Sequence, residues 1–119
     1  MTSSRASSPS KYRVVVIRGD GIGPELVDAT LPVLDAVQRR LESFVVDVEF
    51  HEGGAGLYAR AGHNLSDESL AAIRQADATM KGPVGLPEVR RPDGTEAGVL
   101  GGVLRTGLDT YANVRPIRL

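Results

Sequence analysis

Residues 19–25, Gly-Asp-Gly-Ile-Gly-Pro-Glu, set three glycines and two acids between an apolar run and an amphipathic one. A backbone that bare permits left-handed dihedrals and close approach by another group. Three uses compete for it. A phosphate-cradling loop of the Walker A type needs Gly-Lys-Ser/Thr at its end, and none follows. The dinucleotide fingerprint GxGxxG fails on spacing, because the glycines run GxGxG and then reach Pro24. No acid is well placed at the end of the next apolar run to hold a ribose as that fold does, and Asp47 and Glu49 match that role only loosely. A plain tight turn fits the residues as well, so spacing alone leaves a turn and a ligand-approach site both open. His51 and His63 have no metal-ligand spacing and read as surface or loop residues. The chain has no cysteine, which excludes disulfides, thiol catalysis and Cys-ligated metals together.

Positioning such a turn requires a strand before it and a helix after it. Tyr12 to Arg18 reads as a strand covered on both faces, because Val14 to Ile17 are consecutive β-branched residues. Pro24 suits a first helical position and Glu25 the positive end of the helix. Leu26, Ala29, Val33, Leu34, Val37 and Leu41 recur at helical spacing as one apolar face, and Pro32 interrupts that helix. Phe44 to Phe50 reads as a second strand, and Ala55 to Ala61 as a short helix stopped by Gly62. Ser66 is placed to cap a helix running to about Gln75. Asp77 to Gly82 is a short third strand and Pro83 to Gly94 a loop. The pattern then predicts a helix over Glu96 to Leu108 and an edge or irregular strand over Thr110 to Leu119. Strands alternating with helices give an α/β fold with a partial, open, mostly parallel sheet and flanking helices. The last strand has no covering helix after it, so the chain reads as stopping mid-domain.

The bulk numbers narrow the class. At 119 residues the chain is one domain at most, or part of a larger one. Net charge is −1 with no basic stripe, which argues against a nucleic-acid partner. No apolar run approaches a membrane span, and no secretory leader is visible, so cytoplasm is the expected compartment. Residues 1–11 read as a disordered Ser-rich tail and 12–119 as the folded part. Asn64-Leu65-Ser66 and Arg18-Gly19-Asp20 read as chance matches to a glycosylation sequon and an adhesion tripeptide.

Three blocks, GDGIGPE, MKGPVGLPEVRRPDGTEAG and LRTGLDTYANVRPIRL, occur in this order and span nearly all of the chain after the tail. In these the sequence resembles the isocitrate/3-isopropylmalate dehydrogenase family, and specifically an N-terminal portion of an isopropylmalate-like member. The resemblance implies an NAD- or NADP-dependent oxidative decarboxylase of a substituted malate, assisted by Mg²⁺ or Mn²⁺. It implies that Gly21, Ile22 and Gly23 lie beside the nicotinamide. It also implies that Arg105 and Arg115 contact the carboxylates of a 2-hydroxy dicarboxylic acid, a task suited to planar guanidinium forks. Glu96 matches the Glu that the family places near the nicotinamide. It stands nine residues before Arg105, a wider gap than the family's, with Gly101-Gly102 reading as an insertion. Lys81, at a strand end, is a further ligand-contact candidate, and Asn113 a support for the Arg115 segment.

Isocitrate-type members place Ser and Asn before the first arginine. Here the segment is Val99-Leu100-Gly101-Gly102-Val103-Leu104, an apolar lining that favours isopropylmalate over isocitrate and leaves tartrate-like substrates open. The family's metal-binding aspartates, catalytic Tyr and Lys, and adenosine loop have no counterpart in these residues, nor does most of its homodimer surface. The expectation is therefore an inactive chain in isolation. The alternative is a non-catalytic anion-binding or interaction module using the arginines or an open sheet edge.

Overall fold

The centre of the fold is the strand that the sequence makes most apolar. In a computed structural model describing residues 7–119, β1 (Ser10–Ile17) lies between β2 (Phe44–His51) and β3 (Ala78–Lys81) in a parallel sheet of order β2-β1-β3. Residues 1–6 of the expected tail lie outside the described residues, and β1 starts at Ser10, ahead of Tyr12. β1 pairs with β2 over its full length, from Ser10 opposite Phe44 to Ile17 opposite His51. It pairs with β3 from Val14 opposite Ala78 to Ile17 opposite Lys81. Val15, Val16 and Ile17 are completely buried, as a strand covered on both faces requires.

The crossover from β1 to β2 and the one from β2 back across β1 to β3 run in opposite directions along the sheet. Right-handed connections then put their helices on opposite faces. The crossover to β2 is α1 (Gly23–Leu41), and the return to β3 runs through α2 (Ala55–Ala61) and α3 (Asp67–Gln75). Val15 and Ile17 share one face of β1 and meet Leu65, Ile73 of α3 and Leu100, with Leu104 of α4 (Gly101–Gly107) packed against that cluster. Val16 points to the opposite face. α2 is stopped by Gly62, and α3 is capped by Ser66, whose Oγ accepts from the Ser69 N–H at 3.0 Å.

Four expectations are corrected. α1 runs unbroken through Pro32, and the face it buries is Val27, Leu31, Leu34 and Gln38, while Leu26, Val33, Val37 and Leu41 are exposed. The helix is apolar on two stripes. The sheet takes the one in which Val27 reaches Gly82 and the Gln38 side-chain oxygen accepts from the Val46 N–H at 2.9 Å. The helix expected from Glu96 begins only at Gly101. Glu96 instead bridges Arg90, and Gly98 presses so closely on Ala55 that a Cβ there would stand 2.7 Å from the Ala55 nitrogen. Residues 110–119 form no strand; they are exposed, with no ladder partner among the described residues. Finally, His51 is no loose surface residue.

His51 ends β2 with its side chain only 14% exposed. Its Nδ1 lies 2.9 Å from Ser69 Oγ on α3 and its Nε2 lies 2.7 Å from Glu49 Oε1. Arg13 of β1 donates to the other oxygen of Glu49 from Nε and Nη2, at 2.9 and 2.6 Å. The His51 and Arg13 hydrogen bonds, in that order, hold the Glu49 carboxyl below its ordinary 4.5. A depressed carboxyl stabilises the fold above its unfolded pKa, and that contribution disappears as pH falls through the folded value. The expected result is a melting-temperature gap between the wild type and Glu49→Gln that is full near neutral pH and closes as the pH is taken below 4.5. A gap that stays constant with pH would show that Glu49 contributes through packing alone.

Candidate functional site

The opening glycines are first of all a junction between strands. Gly19 has a φ of +79°, and a Cβ there would overlap the Pro83 carbonyl; one on Gly23 would run into the carbonyl of Arg18. The Asp20 N–H donates to the Pro83 oxygen at 2.9 Å and the Gly82 N–H to the Ile17 oxygen at 2.8 Å. The turn therefore brings the carboxyl ends of β1 and β3 together, the end at which parallel sheets bind ligands.

The Asp20 side chain, which no spacing rule singles out, completes the junction. Its Oδ2 accepts from the Ala55 N–H at 2.7 Å and the Gly85 N–H at 2.9 Å, and its Oδ1 from the Gly56 N–H at 2.9 Å. Gly54, φ +120°, permits that approach, since a Cβ there would lie 3.0 Å from the carboxyl carbon. The only sequence signal for this role is an acid short enough to reach backbone donors, bracketed by glycines. With Asp20 turned inward and Arg18 bonded to Asp28 and stacked 4.1 Å over Phe50, the Arg-Gly-Asp tripeptide is built into the fold.

Arg105 on α4 and Arg115 on the extended segment line one hollow of about 800 Å³. Lys81 and Asn113 line it too, and Val84, Val99, Leu100 and Leu104 supply apolar wall. Three cations face it and no carboxylate does. Among the described residues, none of the three cations is in an ion pair. Gly101 leaves room for the Arg105 guanidinium, whose Nη2 would stand 3.0 Å from a Cβ there. Asn64 fixes the wall by donating from Nδ2 to the Val99 oxygen at 2.9 Å.

The structure thus brings together Arg105, Arg115, Lys81 and Asn113. It does not bring Gly21, Ile22, Gly23 or Glu96 into the same hollow. The glycine turn reaches it only indirectly, through Pro83, which precedes the lining residue Val84. Glu96 is exposed, with Arg90 Nη1 at 3.8 Å from its carboxylate. Asp47 is exposed and Glu49 is taken by Arg13 and His51. His63 is exposed.

Over residues 13–119 the sequence matches the family model for isocitrate/isopropylmalate dehydrogenase. The chain belongs to this family. Among its relatives, a 3-isopropylmalate dehydrogenase of Streptococcus mutans is 40% identical over 109 residues, which cover 90% of the present chain and 30% of the relative. A protein named as a probable tartrate dehydrogenase/decarboxylase of Agrobacterium vitis is 35% identical over 109 residues, covering 92% and 30%. The structure of a β-decarboxylating dehydrogenase from Thermococcus kodakarensis superposes with a TM-score of 0.66 at 38% identity, over 82% of this dehydrogenase-family chain and 27% of the other. The chain spans about 30% of the length of the curated relatives it matches. Its fold is the α/β fold of these dehydrogenases, and among the described residues no helix is long and apolar enough to cross a membrane.

Proposed function

We propose that these residues are the N-terminal part of an NAD(P)-dependent oxidative decarboxylase of a substituted malate, with 3-isopropylmalate as the favoured substrate, acting in the cytoplasm. The observation that carries the reading is the pair Arg105 and Arg115 lining one hollow with Lys81 and no acid. Each guanidinium can hold a carboxylate through paired N–H donors, so the two orient a dicarboxylate at both ends. Val84, Val99 and Leu104 offer an alkyl substituent an apolar wall, which a third carboxylate would not use.

Exposure supports the glycine turn as the nicotinamide contact. Ile22 is 63% exposed, and nothing lies within 4 Å of the position a Cβ on Gly21 would take. Gly21 and Ile22 would meet the ring there, Gly23, buried against Pro83, would shape the turn beneath it, and Glu96 is a further contact on the family pattern. When bound, the cofactor supplies a hydride acceptor for the carbon bearing the substrate hydroxyl. A divalent metal does not fit what these residues provide. Among the described residues no three His, Cys, Asp or Glu side chains gather to hold one. That donor set supports dicarboxylate binding without turnover by these residues alone.

The second reading, an anion-binding module with no catalytic role, is favoured by the same unpaired cations. Calorimetric titration and a nicotinamide-reduction assay separate the outcomes. The expected result is saturable binding of 3-isopropylmalate, weaker binding of isocitrate, and no NADH or NADPH formed with Mg²⁺ present. Sustained cofactor reduction would refute inactivity, and absence of dicarboxylate binding would refute the arginine site.

A further inference from the structure

We infer that Asp20 is a positioning residue for the arginine hollow, holding Val84 in its wall; the inference rests on the reading of that hollow as a dicarboxylate site. The argument is one of bracketing. Through its main chain Asp20 donates to the oxygen of Pro83, the residue before Val84. Through Oδ2 it accepts from the N–H of Gly85, the residue after Val84. Val84 is thus clamped on both sides by one residue 64 positions earlier in the chain. It faces the arginine hollow and packs on the cluster of Ile17 and Leu100.

The clamp is itself anchored. The two carboxylate oxygens also accept from Ala55 and Gly56 at the start of α2, at 2.7 and 2.9 Å. An ionised carboxylate only accepts, so three backbone donors converging on it are matched in kind and leave no donor facing donor. Asparagine keeps one acceptor oxygen and sets an NH₂ against at least one of those N–H groups. Alanine keeps none.

The test measures 3-isopropylmalate affinity by calorimetry for the wild type, Asp20→Asn, Asp20→Ala, Arg115→Ala and Ile73→Val, with amide hydrogen exchange at Gly85. Ile73→Val trims the core cluster on which Val84 packs and leaves the Asp20 hydrogen bonds in place. The expected result is affinity weakened about tenfold in Asp20→Ala and less in Asp20→Asn, the low end of the roughly 10- to 100-fold that losing a supporting hydrogen-bond partner costs at a metal site. Gly85 exchange should accelerate in both, and Ile73→Val should bind like the wild type. If Asp20→Ala does not fold, Asp20→Asn carries the comparison. Unchanged affinity in the folded Asp20 variants alongside loss in Arg115→Ala would overturn the role of Asp20 and leave the arginine site standing. Equal weakening in Ile73→Val would reduce Asp20 to a general contributor to stability and also overturn it. A wild type that binds no 3-isopropylmalate would overturn the arginine site itself, and the inference with it.

Discussion

Gly19→Ala is expected to destabilise the fold by about 2–5 kcal/mol, the sum of an overpacked contact and a left-handed backbone forced on a residue with a Cβ. The position combines both penalties. Its φ is +79°, and the added methyl would overlap backbone rather than a flexible side chain, namely the carbonyl of Pro83. That carbonyl accepts the Asp20 N–H, so it cannot retreat without breaking the bond that joins β1 to the loop after β3. A loss of this size is a large fraction of the total stability of about 5–15 kcal/mol that a small domain has. The same exchange at Gly102 supplies the control. It lies in α4 with nothing within 4 Å of where its Cβ would sit, and its φ is not positive. There alanine is expected to stabilise by up to about 1 kcal/mol through helix propensity. Urea denaturation of the two variants reads both signs. A Gly19→Ala protein as stable as the wild type would mean that Pro83 moves freely and that the strand junction tolerates an added methyl.

What was legible in the sequence was local. The run Val14 to Ile17 gives its strand away because four β-branched residues fit only a sheet interior. Ser66 and Gly62 mark helix ends by their own side-chain and backbone chemistry, and both sit at the ends expected of them. The misses all depend on distant partners. Val99, Leu100, Val103 and Leu104 have helical spacing, but the stretch before Gly101 is drawn off by its bridge to Arg90 and, above all, by Ala55, which no local window around Glu96 contains. In α1 two apolar stripes compete, and periodicity cannot say which one the sheet will take. Residues 110–119 have the composition of a strand, but a strand exists only where another pairs with it. Of the site, Arg105 and Arg115 were found by motif, and their convergence on one hollow is a tertiary fact. Asp20 was missed because its partners stand 35, 36 and 65 residues away.

Arg115→Ala is expected to weaken 3-isopropylmalate binding about 10- to 100-fold, because hydrogen bonds to charged groups contribute roughly 1.5–3 kcal/mol and each 1.4 kcal/mol is tenfold. The estimate belongs at that level rather than higher because Arg115 is exposed, so water competes for the carboxylate. Arg115→Lys separates charge from shape. It keeps the cation and loses the planar fork, so a smaller loss than in the alanine variant is expected if paired N–H donors hold the ligand. Arg105→Ala should behave alike, with a difference in reserve. Arg105 lies folded over Gly101 on a helix, whereas Arg115 lies on a segment with no ladder to steady it. The Arg105 variant therefore loses a preorganised donor and should show the larger drop of the two. If one dicarboxylate spans both guanidinium groups, the double variant should lose less than the product of the single losses, since the first deletion already frees one end of the ligand. Raising salt should shrink every one of these differences, because the charges are screened over about 10 Å at 0.1 M. Strictly independent effects in the double variant would mean that the two arginines hold separate anions and that the hollow does not grip one substrate at both ends.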